Sequence, residues 1–200
     1  MSFSSRLQGD LTPNRLALSV ARAKTDGRRL IDLTESNPTR AGFDYPSNLL
    51  APLSDPKGLC YAPDPSGLLE ARIAVAGDYG RRGLSIDPGR IVLTASTSEA
   101  YSLLFKVLCN PGDEVLVPRP SYPLFAYLAA LESVNAPHYP LQYDGQWHLG
   151  IDDVAEASTA RTRAIVVVSP NNPTGSFLER EESQRLRHLA AARRWAVISD

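Results

Sequence analysis

The sequence predicts an α/β fold, a mostly parallel sheet with helices flanking it. Three observations carry that expectation. Ala164-Ile165-Val166-Val167-Val168 is a continuous, mostly β-branched run, the pattern of a strand buried on both faces. Ala100, Leu103, Leu104, Val107 and Leu108 recur at i, i+3, i+4, i+7 and i+8, the stripe of a helix facing a core. From Gly67 onward, short apolar runs alternate with helical periodicity, as in strands joined by crossover helices.

Taken in order, the first ~65 residues are irregular and rich in Pro and turn-formers, with a helical stretch from about Asn14 to Ala23 and a strand candidate at Leu30 to Leu33. Leu69, Ile73, Ala76 and Tyr79 mark a helix that ends at Arg81-Arg82-Gly83. Ile91 to Thr94 reads as a short buried strand, and the Ala100–Leu108 helix follows it. Asn110-Pro111-Gly112-Asp113 is a turn, with Pro fixing φ and Gly supplying positive φ. Val115 to Val117 is the next strand, and Leu124 to Leu131 a short helix after a proline-framed loop. Ala136 to Tyr139 is a weak strand, and Ile151 to Ala157 a short helix. After the Ala164–Val168 strand, Glu179 to Arg194 is a charged surface helix with Leu186, Leu189 and Ala190 inward. Trp195 to Ser199 is the last strand. The chain stops at Asp200, and a parallel sheet abandoned there would expose an apolar edge, so a longer polypeptide is expected.

Composition narrows the functional classes. Of 200 residues, 43% are hydrophobic and 22% charged, which suits a folded, soluble domain rather than a disordered tail. The net charge of -1, with both signs interspersed, gives no footprint for nucleic acid. No apolar run approaches the ~20 residues of a membrane span. The first 29 residues lack the apolar centre of a secretory signal, and Asp10 and Asp26 argue against a transit peptide, so cytoplasm is the expected compartment. Cys60 and Cys109 have neither metal-ligand spacing nor a CxxC partner and are expected to be small buried or half-buried thiols. Of the 21 basic residues only Lys24, Lys57 and Lys106 are lysines, so neutral amine nucleophiles are scarce.

In open parallel sheets ligands bind beyond the carboxyl ends of the strands. Those positions hold Ala95-Ser96-Thr97-Ser98-Glu99 at a helix start, Pro118-Arg119-Pro120-Ser121-Tyr122-Pro123, Ser169-Pro170-Asn171-Asn172-Pro173-Thr174-Gly175, and Asp200. A hydroxyl cluster at a helix N-terminus is a ready anion site, because unpaired N–H groups and the helix dipole favour negative charge. Ser96 or Ser98 is equally accounted for as an N-cap with Glu99 in the first turn. Each other segment also has a plain structural explanation, as a half-buried aromatic, a turn or a solvated loop carboxylate. There is no GxxxxGK[ST], no GxGxxG after a strand and no HExxH, which leaves a phosphorylated, flat aromatic ligand as a better fit than a nucleotide or metal.

The series Tyr61-Ala62-Pro63-Asp64-Pro65-Ser66-Gly67, Asn110-Pro111-Gly112-Asp113-Glu114-Val115, Pro120-Ser121-Tyr122-Pro123, Ser169-Pro170-Asn171-Asn172-Pro173-Thr174-Gly175 and Val197-Ile198-Ser199-Asp200 resembles the N-terminal part of class I/II, fold type I pyridoxal-phosphate aminotransferases. The resemblance runs from about Leu30 to Asp200. It implies that residues 1–65 are an N-terminal arm and the start of a small domain, and 66–200 the first part of the cofactor-binding large domain. It further implies that Ser96, Thr97 and Ser98 cradle the cofactor phosphate and that Tyr122 stacks on the pyridine ring. Asn172 would hydrogen-bond the phenolic oxygen, and Asp200 would pair with the pyridine nitrogen. Tyr61 would reach a partner subunit's phosphate, which implies a homodimer. The implied substrates are an amino acid and a 2-oxo acid.

Three departures bear on this, the first being that Ser96-Thr97-Ser98 lacks the glycine many members have in the phosphate cup, where hydroxyls substitute as donors. Where many members have a small glycine near the substrate, Thr34-Glu35-Ser36-Asn37-Pro38 offers Ser36 or Asn37, and these are the substrate-side candidates. The family's Schiff-base lysine and its carboxylate-binding arginine lie downstream of the aspartate. The resemblance therefore implies that the 200-residue chain alone is inactive; of its own lysines, Lys106 lies off the apolar stripe of its helix and is expected to be solvated, and Lys24 and Lys57 fall in irregular segments. A carbon–sulfur β-lyase on the same scaffold and a non-catalytic fragment are the rival expectations.

Overall fold

The computed structural model describes residues 4–7, 12–33 and 35–200; Thr34, in the substrate-side segment, lies outside them. The chain forms two compact units, one within 10–93 and the other comprising 94–200 with residues of the N-terminal nine.

The larger unit is a five-stranded sheet with helices on both faces. Its strands are β1 (Glu114–Arg119), β2 (His138–Tyr143), β3 (Trp147–Leu149), β4 (Thr162–Val167) and β5 (Ala196–Ser199), in the spatial order β3-β2-β1-β4-β5. β2, β1, β4 and β5 run parallel, while β3 returns antiparallel on β2, so the mostly parallel sheet expected from the sequence is present. Val115, Val117, Ala164, Val166 and Ile198 face one side and meet Tyr101, Phe105, Phe125 and Ala129. Leu116, Ile165 and Val167 face the other, against Val154, Leu186 and Ala190. Alternate residues of one strand thus enter two cores, which is why the Ala164–Val168 stretch tolerates no polar position.

The helices of this unit are α3 (Thr97–Leu108), α4 (Leu124–Leu131), α5 (Ile151–Ala157) and α6 (Arg180–Arg193); α1 (Arg15–Thr25) and α2 (Leu69–Arg81) belong to the smaller unit. Start and stop chemistry is local. Asn14 caps α1 by accepting from the Ala17 N–H at 2.8 Å. Glu179 and Glu182 form a reciprocal capping box on α6, and Arg194 leaves that helix in the left-handed region at φ 58°.

Four expectations are corrected. The inward face of α3 is Tyr101 and Phe105, with Leu108 partly buried; Leu103 and Leu104 are exposed and Val107 is 81% exposed. Positions 101, 105 and 108 share the helical spacing of the expected stripe, and the two large rings cover more of the sheet than Ala and Leu would. Neither Leu30–Leu33 nor Ile91–Thr94 is a strand, and among the described residues no strand precedes Glu114. Leu33 is 91% exposed. Leu93 makes a single backbone bond, its N–H donating to the Ser66 carbonyl at 2.9 Å. An apolar run becomes a strand only where a ladder partner takes its N–H and C=O groups. β3 was not anticipated from its three residues, although Asp144-Gly145 between Tyr143 and Trp147 is a hairpin signal. Cys60 is exposed rather than buried, and Cys109 is half-buried.

The smaller unit owes much of its order to one buried cation. Arg72 on α2 donates from Nε to the Gly67 carbonyl at 2.9 Å, from Nη1 to the Pro88 carbonyl at 3.1 Å, and from Nη2 to Asp64 Oδ2 at 2.9 Å. Gly67, at φ +88°, lies against Leu93, whose Cβ would be 2.7 Å from any added Cβ.

Among the described residues no helix is long and apolar enough to cross a membrane. Nor do they contain a group of three or more His, Cys, Asp or Glu side chains able to hold a metal ion.

Candidate active site

A cavity of about 360 Å³ opens where α3 begins and β4 and β5 end. Ser96, Thr97, Ser98, Tyr122, Asn172 and Asp200, all picked out from the sequence, line it, together with Tyr101, Leu124, Phe125, Leu128 and Val168. The rim therefore forms although the segment before Ala95 is not a strand.

On the cavity wall, Ser96 is the N-cap of α3, its Oγ accepting from the Glu99 N–H at 3.2 Å. Glu99 Oε2 accepts from the Ala95 N–H at 2.5 Å. Ser96 thus both caps the helix, as its sequence position suggests, and lines the cavity. Thr97 and Ser98 occupy the first turn, where backbone N–H groups have no intrahelical acceptor and the dipole is positive. Hydroxyls and N–H groups there suit a phosphate-sized anion.

Asp200, also on the cavity wall, donates its N–H to the Val167 carbonyl, and its own carbonyl accepts from the Ser169 N–H, each at 2.9 Å. The sheet ladder thus holds the backbone that presents this carboxylate. Tyr101 donates its O–H to Asp200 Oδ2 at 2.9 Å. Burial, then the bond to Asp200 and the charge behind it, push the Tyr101 phenol far above its ordinary range, so it stays a donor.

The loop bearing Asn172 is tied down by its neighbour. Asn171, 4% exposed, donates from Nδ2 to the Pro120 carbonyl at 3.2 Å and to Thr174 Oγ1 at 2.8 Å. Its backbone N–H donates to the Ser176 carbonyl at 2.8 Å, and its carbonyl accepts from the Gly175 N–H at 2.7 Å. Pro120 stands two residues before Tyr122, so one amide side chain joins the loops that present Asn172 and Tyr122. Asn171 Oδ1 is buried without a partner.

Tyr61, Ser36 and Asn37 belong to the smaller unit. Tyr61 is 92% exposed there. Asn37 Oδ1 accepts from the Thr39 N–H at 3.0 Å and from Thr39 Oγ1 at 2.6 Å, a local turn. Lys106 is not simply solvated: its Nζ lies 2.5 Å from Glu132 Oε1 and 2.8 Å from Ser102 Oγ. The Lys106 ammonium and the Ser102 hydroxyl hold the Glu132 carboxyl below its usual range. Lys24 lies in the last turn of α1 rather than in an irregular segment.

Tyr101 and Asn171 do not stand out as site residues in the sequence. Tyr101 lies four residues after Thr97, on the same helix face one turn in, and that spacing was the available signal. Asn171 had no comparable signal, because it sits in a run of turn-formers where an internal clamp and a plain turn read alike.

Comparison with known proteins agrees with this geometry. The family described as aminotransferase class I and II matches residues 29–200. The glutamate-pyruvate aminotransferase AlaA of Haemophilus influenzae is 33% identical over 184 residues, covering 90% of this chain and 45% of that protein. A histidinol-phosphate aminotransferase of Sphingopyxis alaskensis is 36% identical over 166 residues, covering 82% and 42%. An alanine aminotransferase from Pyrococcus furiosus superposes with a TM-score of 0.79 at 32% identity, over 92% of this chain and 47% of that one. A Thermus thermophilus aspartate aminotransferase mutant gives 0.83 at 28%, over 100% and 53%. The chain spans about half the length of these relatives. With the family match over residues 29–200, a mostly parallel sheet, and a hydroxyl-bearing helix start and the Asp200 carboxylate lining one cavity, the chain belongs to the class I and II aminotransferase family.

Proposed function

We propose that the whole protein is a pyridoxal-phosphate-dependent aminotransferase that moves an amino group from an amino acid to a 2-oxo acid. The observation that carries this is the convergence of Ser96, Thr97, Ser98, Tyr122, Asn172 and Asp200 on one cavity. The donor set fits the cofactor part by part. Hydroxyls and N–H groups at the start of α3 suit its phosphate, and Tyr122 with the apolar side chains of α4 suits a flat ring. The Asn172 amide can donate to a phenolic oxygen, and the Asp200 carboxylate can accept from a protonated ring nitrogen. When bound, a pyridoxal group supplies an electron sink for the carbanion formed at the substrate's α-carbon. Asp200 keeps the ring nitrogen protonated, the start of α3 anchors the phosphate, and Tyr122 fixes the ring plane.

The names of the relatives make alanine, glutamate and pyruvate the first substrates to try. They also favour amino-group transfer over β-elimination. Within this reading, Tyr61 contacts the phosphate bound by the partner protomer of a homodimer, and Ser36 and Asn37 face the substrate. Residues 1–65 serve as arm and start of the small domain, 66–200 as part of the large one, and the enzyme works in the cytoplasm. We assign no anchoring role to Lys106, whose ammonium is engaged by Glu132 and Ser102.

The test is an assay of the protein expressed from its whole gene, supplied with pyridoxal phosphate. The proposal expects 2-oxo acid formation from the amino donor only when an acceptor 2-oxo acid is present. Ammonia release without an acceptor would replace transfer by elimination, and no turnover with any donor would overturn the proposal.

A further inference from the structure

One buried group on the cavity wall has no part in the reading above. Tyr101 is 5% exposed, and its hydroxyl reaches from α3 to the end of β5. Its ring is held edge-on against Phe125, with centroids 5.0 Å apart at 82°, and tilted against Phe105 at 5.9 Å. The phenol therefore cannot swing away without breaking the core. Asp200, for its part, has its backbone pinned by Val167 and Ser169 and its Oδ2 bonded to Tyr101. Oδ1 is the oxygen that Tyr101 does not engage.

We propose that Tyr101 is a positioning residue: it fixes the Asp200 carboxylate in the orientation with which that carboxylate addresses the ring nitrogen of the bound cofactor. The inference rests on the cofactor reading of this cavity. A carboxylate on an aspartate side chain rotates about χ2 at little cost, so backbone placement alone does not aim it. A rigid donor on one oxygen removes that freedom, and the ordering is complete before the ligand arrives. A phenol suits the task because it carries no charge to compete with the pyridinium.

The test uses the whole-gene protein freed of cofactor and pyridoxamine 5′-phosphate labelled with ¹⁵N at the ring nitrogen. Binding is followed by calorimetry, and ring protonation by the ¹⁵N resonance of the bound ligand. Tyr101→Phe keeps the ring contacts and removes only the donor. It is expected to weaken binding about tenfold, the low end for a hydrogen bond to a charged group. It should also move the ¹⁵N resonance towards that of neutral pyridine. In an Asp200→Asn background the same change should have less than about a twofold further effect, because two residues acting as one unit are non-additive. Affinity for inorganic phosphate should not change.

An equal loss in both backgrounds, or an unmoved resonance in Tyr101→Phe, would overturn the positioning role. The resonance is read on folded, ligand-bound protein, so a loss of stability does not imitate it. If Asp200→Asn itself left affinity and resonance as in the natural protein, the cofactor reading of Asp200 would fall, and this inference with it.

Discussion

Asn171 offers a sharp test of how the cavity is held together. Replacing it with Ala removes two hydrogen bonds from Nδ2, to the Pro120 carbonyl and to Thr174 Oγ1. At about 1 kcal/mol net for each, that loss is about 2 kcal/mol, and the space vacated by the amide adds to it. One contribution runs the other way. Oδ1 is buried without a partner, and deleting an unsatisfied acceptor recovers about 1 kcal/mol. The net expectation for Asn171→Ala is a destabilisation of about 1–2 kcal/mol. Asn171→Asp is nearly isosteric but should be worse, by about 3 kcal/mol or more, since it points a buried charge at the Pro120 carbonyl. Urea denaturation of the whole-gene protein gives both values from the shift in midpoint at constant slope. An aspartate variant as stable as the alanine variant would refute the donor role of Nδ2. A neutral alanine variant would refute the clamp.

Two further outcomes follow from the geometry. Arg72→Met removes a buried guanidinium that serves two carbonyls and Asp64, and should destabilise the protein by about 2–3 kcal/mol, below the usual range for breaking a buried pair because Asp64 is partly solvated; circular dichroism melts check it, and an unchanged midpoint would contradict the role. Asp113 and Glu132 both have carboxyl pKa values lowered in the folded state, Asp113 first by the Asn110 backbone N–H and then by Arg163, Glu132 first by Lys106 and then by Ser102. A lowered folded pKa stabilises above the unfolded value and is lost as pH falls through the folded one. Stability should therefore decline on acidification below about pH 4, and Asp113→Asn should flatten that decline in a titration of unfolding midpoints.

Legibility of the fold tracked the number of constraints acting on each residue. β4 was evident because both its faces are buried, so the run of Ala164 to Val168 has no polar option. α6 was evident because its Glu179 start and its single inward line, Leu186 and Ala190, are local features. The sequence of α3 marks a helix but not its inward face, since it is apolar on two sides and periodicity does not say which side the sheet takes. Ile91–Thr94 had strand composition without a ladder partner, and partnership is not written in a segment's own residues. In the site, Ser96 to Ser98, Tyr122, Asn172 and Asp200 were legible as short segments beyond apolar runs. Their convergence required the topology. Tyr101 and Asn171 act by holding others in place, and such roles appear only when the partners, Asp200 and the Pro120 carbonyl, are brought next to them.

The measurement that bears most directly on the central claim is a crystal structure of the whole-gene protein grown with pyridoxal phosphate. The phosphate is expected against Ser96, Thr97 and Ser98, the ring on Tyr122 with its oxygen at Asn172, and the ring nitrogen at Asp200. Cofactor density elsewhere, or a ring whose nitrogen faces away from Asp200, would contradict it.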